Sequence, residues 1–228
     1  MTASRSILII GASRGLGLGL AGEFAAQGWA VTATVRSAAQ QAPLQALPGV
    51  RVEQLEMTDP DSLEQLAKRL SGQQFDVIFV NAGVAGPDHH STAQATAEEM
   101  GQLFLTNAVA PLRVAERLLP NLAAGHGLIV FMSSILGSIE TGAGLGMPLY
   151  GASKAALNHL AQCFVRTQDN PKLGVLLMHP GWVRTDMGGA DAPLDIDSSC
   201  KGMVRQVSAA VGQPGLRYLD FEGNALPW

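Results

Sequence analysis

Several features are scarce or missing in this sequence, and each scarcity excludes a class of protein. The 228 residues include only two cysteines, Cys163 and Cys200, which make no disulfide framework and lack zinc-ligand spacing. Charged residues make up 15% of the chain and the formal charge is -4, so no basic surface for nucleic acid or anionic lipid is expected. No apolar run approaches the roughly 20 residues of a membrane span.

The amino-terminal segment also lacks the apolar core of a secretory signal peptide. Residues 1–6 are followed by only four aliphatic residues before Gly11, which is too short for such a core. Together with the scarcity of cysteine, this predicts a soluble cytoplasmic protein whose thiols stay reduced, with neither a membrane nor a nucleic acid as partner.

Short apolar runs alternate with helical patterns along the chain. The runs are too short for independent helices and do not alternate strictly, so they predict parallel strands buried on both faces. They cover residues 7–10, 31–35, 77–80, 128–132 and 175–178, with the more polar segment 50–55 where another strand is needed. The pattern predicts one α/β domain over residues 1–228, a doubly wound parallel sheet of the Rossmann type.

Two helix starts and two long loops can be located from composition. Asp59 with Pro60 supplies a cap and a first-turn proline, and Thr96 with Glu99 is a capping box. The loops 84–95 and 137–147 are long for a compact domain, so we expect them to line a site at the carboxyl ends of the strands.

A glycine-rich turn, Gly11-Ala12-Ser13-Arg14-Gly15-Leu16-Gly17, follows the first apolar run. Its glycines permit a sharp turn and a close approach to a pyrophosphate, at which the amide hydrogens of the next helix would point. Alone this pattern is weak evidence, because ordinary tight turns are also rich in glycine. Its position after the first strand favours a dinucleotide site.

The end of the second predicted strand favours NADP over NAD. An NAD site usually has an acidic residue about 20 residues beyond the glycine turn, and residues 33–37 contain none. We expect Arg36, helped by Arg14, to hold the 2′-phosphate. Such a contact is worth about 1.5–3 kcal/mol and favours NADP by roughly 10- to 100-fold. The alternative is that both arginines are solvated surface residues.

Tyr150 and Lys154 are the candidate proton-transfer pair. On a helix their spacing puts the phenol and the ammonium on one face. Lowering a phenol pKa from about 10 to about 7 requires roughly 4 kcal/mol, which an ammonium about 4 Å away provides at an effective dielectric of about 20. We therefore expect Lys154 to lower the pKa of Tyr150, which then gives a proton to a carbonyl oxygen.

Further motifs accompany this pair at the ends of predicted strands and in one helical pattern. They are Asn81-Ala82-Gly83, Asn107, Phe131-Met132-Ser133-Ser134 and Pro180-Gly181-Trp182-Val183-Arg184-Thr185. Each has an ordinary structural explanation by itself, such as capping a turn. Together, from about residue 7 to 187, they resemble the short-chain dehydrogenase/reductase family. Segments 133–139 and 179–189 are similar to the sniffer-like carbonyl reductases, a branch that also contains proteins similar to the bacterial C-signal factor.

The resemblance implies a role for each of these residues. Tyr150 is the implied acid and base, and Ser134 donates a hydrogen bond to the substrate carbonyl. Lys154 binds the nicotinamide ribose, and Asn107 holds a water that relays protons to it. The implied cofactor contacts are Gly11, Ser13, Arg14, Gly15, Leu16, Gly17, Arg36, Glu56, Met57, Asn81, Ala82, Gly83, Tyr150, Lys154, Pro180, Val183 and Thr185.

Two departures from the family pattern leave alternatives open. Glu56 stands where a shorter aspartate usually contacts the adenine amino group. The segment between Ser134 and Tyr150 is longer than is common in the family, so Ser138 is an alternative to Ser134. No metal is expected, because His89 and His90 have no third ligand at a suitable spacing.

These patterns predict an NADPH-dependent reductase that acts on an aldehyde, ketone or quinone in a largely apolar pocket. Leu145, Trp182 and Met187 are candidates for its walls. The alternative is an NADP(H)-binding signalling or regulatory protein with little turnover, which an intact catalytic set disfavours. The resemblance also implies a homodimer or homotetramer that pairs through the helices of residues 107–122 and 150–167.

Overall fold

Seven parallel strands form a sheet at the centre of the structure, a computed structural model that describes residues 4–228. The strands are β1 (Ser6–Ile10), β2 (Ala30–Val35), β3 (Arg51–Gln54), β4 (Val77–Val80), β5 (Leu128–Met132), β6 (Gly174–His179) and β7 (Gly215–Asp220). Their order in the sheet is β3-β2-β1-β4-β5-β6-β7, and every neighbouring pair is parallel. The doubly wound sheet predicted from the sequence is confirmed.

Within residues 4–228, seven α-helices cover the two faces of the sheet. They are α1 (Gly15–Ala26), α2 (Ala42–Gln45), α3 (Pro60–Arg69), α4 (Ala97–Phe104), α5 (Ala110–Leu118), α6 (Pro148–Thr167) and α7 (Ile196–Ala210). A π-helical turn, Leu105–Val109, joins α4 to α5, and a 3₁₀ turn, Ile135–Gly137, follows β5. Among residues 4–228, no helix combines the length and the apolar composition that a membrane span requires.

The strands are apolar without alternation because each face of the sheet packs against helices. In β4, Ile78 and Val80 belong to the core beneath α3, α5 and α6, whereas Val77 and Phe79 belong to the core beneath α1, α2 and α7. Both sides of each central strand therefore select apolar residues. Within β5, every residue is buried.

The two predicted helix starts are confirmed by their hydrogen bonds. The Asp59 carboxylate accepts from the Asp61 amide at 3.0 Å, with Pro60 as the first residue of α3. Before α4, the Thr96 amide donates to Glu99 Oε2 at 2.8 Å, and the Glu99 amide donates back to Thr96 Oγ1 at 3.2 Å. These bonds satisfy amides that the first helical turn leaves without partners.

Strand β7 was not predicted, because it lies at the edge of the sheet and lacks a continuous apolar run. Only Tyr218 is buried in this strand, and Arg217 and Asp220 interrupt its apolar residues. An edge strand has fewer neighbours, so its composition is less constrained than that of a central strand. Its pairing with β6 over six residue pairs extends the sheet beneath the segment that follows β5.

Candidate active site

The glycine turn after β1 is shaped by close backbone packing against the end of β4. Gly11 has a φ of 85°, and a Cβ built there would lie 2.6 Å from the Cβ of Ala82. A Cβ on Gly17 would lie 2.2 Å from the Gly11 carbonyl oxygen. Asn81 fixes the turn, since its Nδ2 donates to that same oxygen at 2.6 Å. Gly11 and Gly17 are therefore required sterically, and Asn81 and Ala82 are part of the same packing unit.

Gly15 borders open space instead of packed atoms. Its φ is 55°, and a Cβ built there would have only Thr185 as a neighbour, at 3.9 Å. This space is part of a cavity of about 520 Å³ lined by Arg14, Gly15, Arg184, Thr185, Asp186, Gly189, Ala190 and Ile196. Helix α1 begins here without an acidic residue in its first turn or a side-chain cap. Its first amide hydrogens therefore remain able to bind an anion, as a dinucleotide pyrophosphate requires.

The two arginines proposed to hold a 2′-phosphate have different surroundings. Arg14 forms an ion pair with Asp186 across the cavity, and the two side chains are 71% and 77% exposed. Arg36 lies just after β2 and is exposed, with its main-chain oxygen accepting from Gln54 at 3.1 Å. Among residues 4–228, no ion pair involves Arg36. The guanidinium of Arg36 is thus accessible to an anion. Arg14 would have to release Asp186 before it could bind one.

Glu56 and Met57 follow β3. Glu56 Oε1 accepts from the Thr58 amide at 3.1 Å and from the Thr58 hydroxyl at 2.8 Å, so this carboxylate oxygen caps its own turn. The Met57 side chain belongs to the core beneath α3. Any contact of Met57 with a cofactor would therefore go through its main chain.

Tyr150 and Lys154 share one buried face of α6, as their spacing predicts. Their side chains are 9% and 2% exposed, and Lys154 Nζ lies 5.6 Å from the centre of the Tyr150 ring. The ammonium donates to the Met132 carbonyl oxygen at the end of β5, at 2.8 Å. Gly83 allows this approach, since a Cβ there would lie 3.4 Å from Lys154 Nζ.

The expectation that Lys154 alone lowers the pKa of Tyr150 is wrong for the protein without ligand. Burial raises the pKa of Tyr150 to about 12, although a hydrogen bond from Ser134 acts in the opposite direction. Burial also lowers the pKa of Lys154 to about 8. Loss of hydration on burial disfavours the charged forms of both side chains. In the protein without ligand this effect outweighs the attraction between the ammonium and the phenolate. The phenol is therefore protonated at neutral pH.

The structure brings Ser134, and not Ser138, to Tyr150. Ser134 Oγ accepts from the Leu136 amide at 3.2 Å, and its hydroxyl lies close enough to Tyr150 to act on the pKa of that phenol. Ser138 is buried elsewhere, where its hydroxyl donates to the Trp228 carbonyl oxygen at 3.4 Å and accepts from the Thr141 amide at 3.0 Å. The Ser138 hydroxyl is thus engaged by Trp228 and Thr141.

Asn107 lies in the π-helical turn and connects the loop after β4 to α6. Its Oδ1 accepts from the Val84 amide at 2.8 Å, and its Nδ2 donates to the Val84 carbonyl oxygen at 2.8 Å and to Ser153 Oγ at 3.0 Å. Ser153 in turn donates to the Tyr150 carbonyl oxygen at 2.7 Å. Both amide hydrogens of Asn107 are therefore used within the protein.

The segment after β6 faces the glycine turn across the cavity. Thr185 Oγ1 accepts from the Gly188 amide at 3.0 Å, and Trp182 Nε1 donates to the Gly188 carbonyl oxygen at 2.8 Å. Val183 pairs with Leu194 in an isolated bridge, and the Pro180 carbonyl oxygen accepts from Ser199. These bonds fix the shape of this loop, which can cover a ligand bound on α1.

A sequence profile described as short chain dehydrogenase matches residues 5–193. The chain belongs to the short-chain dehydrogenase/reductase family. One solved family structure, from Burkholderia multivorans with NADP bound, is 42% identical, with a TM-score of 0.94, over 99% of this chain and 100% of that one. The carbonyl reductase Sniffer of D. melanogaster is 30% identical, with a TM-score of 0.88, over 99% of this chain and 100% of that one.

Among curated relatives, the C-signal protein of Myxococcus xanthus is 37% identical over 155 residues, which is 67% of this chain and 92% of that protein. The resemblance to the sniffer-like and C-signal-like branch of the short-chain dehydrogenase/reductase family is therefore confirmed. Members of this family are oxidoreductases, and the chain is one of them.

Exposed apolar side chains surround the site of this short-chain dehydrogenase/reductase. Val84 follows β4, Ile139 and Leu145 lie between β5 and α6, and Trp182 and Met187 follow β6. We call these five residues the apolar rim. Among residues 4–228, the only other exposed large apolar residue is Trp228. Leu145, Trp182 and Met187 were expected from the sequence to be pocket walls, and they lie in the loops at this edge of the sheet.

Two residues that contact the site, Asp186 and Tyr218, were not predicted from the sequence. Asp186 pairs with Arg14 across the cavity. Tyr218 donates to the Ser134 carbonyl oxygen from a position 84 residues away. No local spacing reveals a contact of that separation; only the prediction of β7 next to β6 would have brought Tyr218 near the site.

Proposed function

We propose that this protein reduces a carbonyl group to an alcohol with NADPH as the hydride donor. The observation that carries the proposal is the buried Tyr150 phenol, with the Ser134 hydroxyl beside it and Lys154 Nζ 5.6 Å from the centre of its ring. A protonated phenol beside a second hydroxyl is suited to receive a carbonyl oxygen. The NADP-bound relative from Burkholderia multivorans and the carbonyl reductase Sniffer support the cofactor and the reaction class.

The residues around the cavity fit a dinucleotide. The uncapped start of α1 and the open space beside Gly15 would accept the pyrophosphate, with Thr185 on the opposite side. Arg36 and Arg14 would hold the 2′-phosphate, and Lys154 would reach the nicotinamide ribose. When bound, NADPH supplies the hydride.

The chain's own residues then handle the oxygen of the substrate. Ser134 and Tyr150 bind the carbonyl oxygen with their hydroxyls and so orient its carbon. Tyr150 donates its proton as negative charge develops on that oxygen, because an alkoxide is far more basic than a phenolate. Lys154, whose pKa burial lowers to about 8, stabilises the phenolate and returns a proton to it. A water held by Asn107 would relay protons to Lys154.

A neutral, largely apolar aldehyde, ketone or quinone fits the apolar rim. Arg184 is a positively charged residue in the segment after β6. Its guanidinium donates to the carbonyl oxygens of Ala192 and Pro193, both at 2.9 Å. It is therefore engaged within its own loop, which leaves it poorly placed for an anionic substrate. A panel of aldehydes, ketones and quinones, followed by loss of NADPH absorbance, tests the function. If no compound of the panel is reduced faster than the background rate, the proposal is contradicted.

We expect Arg36→Asp to lower kcat/KM for NADPH by roughly 10- to 100-fold, because it replaces a charge-assisted contact with repulsion of the 2′-phosphate. Turnover with NADH should change by less than about threefold, since NADH carries no phosphate there. Arg205→Asp, an exposed substitution on α7, is the matched control. Preference for NADPH that persists in Arg36→Asp would contradict the role of Arg36.

We also propose a cytoplasmic homodimer or homotetramer that pairs through α5 and α6, as the family resemblance implies. Within residues 4–228, no exposed large apolar side chain lies on either helix, so small and polar residues would make the contact. Light scattering after size-exclusion chromatography measures the assembly. A monomer at micromolar concentration would contradict this part of the proposal.

A further inference from the structure

Tyr218 contacts the residue that carries the proposed catalytic serine. Its hydroxyl donates to the main-chain oxygen of Ser134, which also accepts from the Gly137 amide at 2.8 Å. Because β6 lies between β5 and β7, the tyrosine side chain reaches across β6 to make this bond. Tyr218 is 3% exposed and belongs to the core on the α6 side of the sheet. The bond therefore connects an edge strand to the active site.

The end of the chain holds the other end of the same turn. The Trp228 ring packs 5.5 Å from the Tyr218 ring, centre to centre. The Trp228 carbonyl oxygen accepts from Ser138 Oγ at 3.4 Å and from the Glu140 amide at 3.2 Å. We call residues 134–140 the serine turn. Both of its ends are thus attached to one unit, formed by β7 and Trp228.

We propose that Tyr218 is a positioning residue, which acts through the main chain of Ser134 to hold the serine hydroxyl at Tyr150. The inference rests on the proposed carbonyl reduction. The Ser134 hydroxyl has only the Leu136 amide of its own turn as a main-chain partner, so this bond does not fix where the turn lies. Asn158 of α6 donates to the Gly137 carbonyl oxygen within the turn at 3.3 Å, and the Tyr218 bond ties the Ser134 main chain itself to a strand of the sheet. Catalytic groups must be held to within about 0.5 Å of their working position.

The surroundings of Tyr218 keep this bond intact at working pH. Burial raises the pKa of Tyr218, so its hydroxyl stays protonated and remains a donor. The Trp228 ring lies against the phenol. A hydrogen bond in such a dry environment is stronger than one that competes with water.

Tyr218→Phe tests the proposal, since it keeps the ring and removes only the hydroxyl. We expect kcat to fall roughly 10-fold, because a small displacement of an orienting group slows the chemical step. The Kd for NADPH and the KM for the carbonyl should stay within about twofold, since neither depends on the serine turn alone. Thr167→Val is the control; it removes a hydroxyl that donates to a carbonyl oxygen at the far end of α6.

A double-mutant cycle separates positioning from general weakening of the fold. If Tyr218 acts through Ser134, Tyr218→Phe should change kcat by less than about twofold in a Ser134→Ala background. Losses that multiply in the double variant would overturn the proposal, as would a kcat for Tyr218→Phe within twofold of the parent. If the single variant does not fold, Trp228→Leu replaces it, with an expected kcat loss of about threefold; an unchanged kcat would overturn the proposal.

Hydrogen exchange gives a readout that does not depend on turnover. In Tyr218→Phe, the amides of Leu136 and Gly137 should exchange at least about 10-fold faster, because the serine turn loses its attachment to β7. Unchanged exchange would overturn the positioning role even in a protein for which no carbonyl substrate is found. If Tyr218→Phe exchanges faster but the parent reduces no carbonyl, the positioning role stands and only the proposed function is contradicted.

Discussion

Tyr150→Phe should lower kcat for carbonyl reduction by about 10²- to 10⁴-fold, the range that general acid catalysis contributes. The phenol is the proton donor in the proposed reaction, and its burial raises its pKa to about 12, so the donor is fully protonated at neutral pH. Phenylalanine retains the ring and its packing but removes the proton. Steady-state rates with the best carbonyl of the panel measure the effect.

Cofactor binding distinguishes this loss from misfolding. The Kd for NADPH of Tyr150→Phe should stay within about threefold of the parent value, since the phenol contributes one of many contacts. Thr167→Val, on the same helix but far from the site, should keep full activity. A Tyr150→Phe variant that retains more than a tenth of the parent kcat would contradict the role of Tyr150.

Lys154→Met should abolish most activity and yet stabilise the ligand-free protein at pH 7. Burial lowers the pKa of Lys154 to about 8 from its usual 10.5. At 1.36 kcal/mol per unit, the charged form makes folding less favourable by about 3 kcal/mol. Methionine fills similar space without charge, but it leaves the Met132 carbonyl oxygen without its donor, which costs about 1 kcal/mol. We therefore expect a net gain of about 2 kcal/mol.

The gain should depend on pH in a defined direction. Between about pH 8 and 10.5 the unfolded parent binds a proton at Lys154 that the folded parent does not, so its stability rises with pH. The variant lacks this group, and its advantage should shrink over that interval. Urea unfolding at pH 7 and pH 9.5 measures the two differences.

A surface substitution provides the control for this experiment. Lys172→Met removes an exposed lysine and should change the free energy of unfolding by no more than about 0.5 kcal/mol. If Lys154→Met is less stable than the parent at pH 7, or if its advantage grows with pH, the loss of hydration at Lys154 is not the dominant effect.

The sequence predicted the elements whose composition is dictated by their surroundings. Central strands such as β4 and β5 are buried on both faces, so their apolar runs were recognised to within a residue. Gly11 and Gly17 could be predicted from the glycine pattern that follows the first strand. The structure gives the reason for the pattern, since a side chain at either position would collide with neighbouring atoms. That Tyr150 and Lys154 share one face of α6 follows from their four-residue spacing and helical geometry alone.

What the sequence could not provide depends on distant contacts and on hydration. The contact that engages the Ser138 hydroxyl comes from Trp228, 90 residues further along the chain. The pKa of Tyr150 is set by burial, which is a property of the folded chain and not of local spacing. Strand β7 was missed because Arg217 and Asp220 break up its apolar residues, and the role of Tyr218 was missed with it.

The contact between Gly11 and Ala82 has a consequence for protein engineering. Because a methyl group at position 11 would already lie 2.6 Å from the Ala82 methyl, these two positions share one small volume. Enlarging residue 82 to valine should push the glycine turn outward and weaken dinucleotide affinity from the segment that follows β4. In homologous sequences, therefore, bulk at one of the two positions should always be matched by its absence at the other.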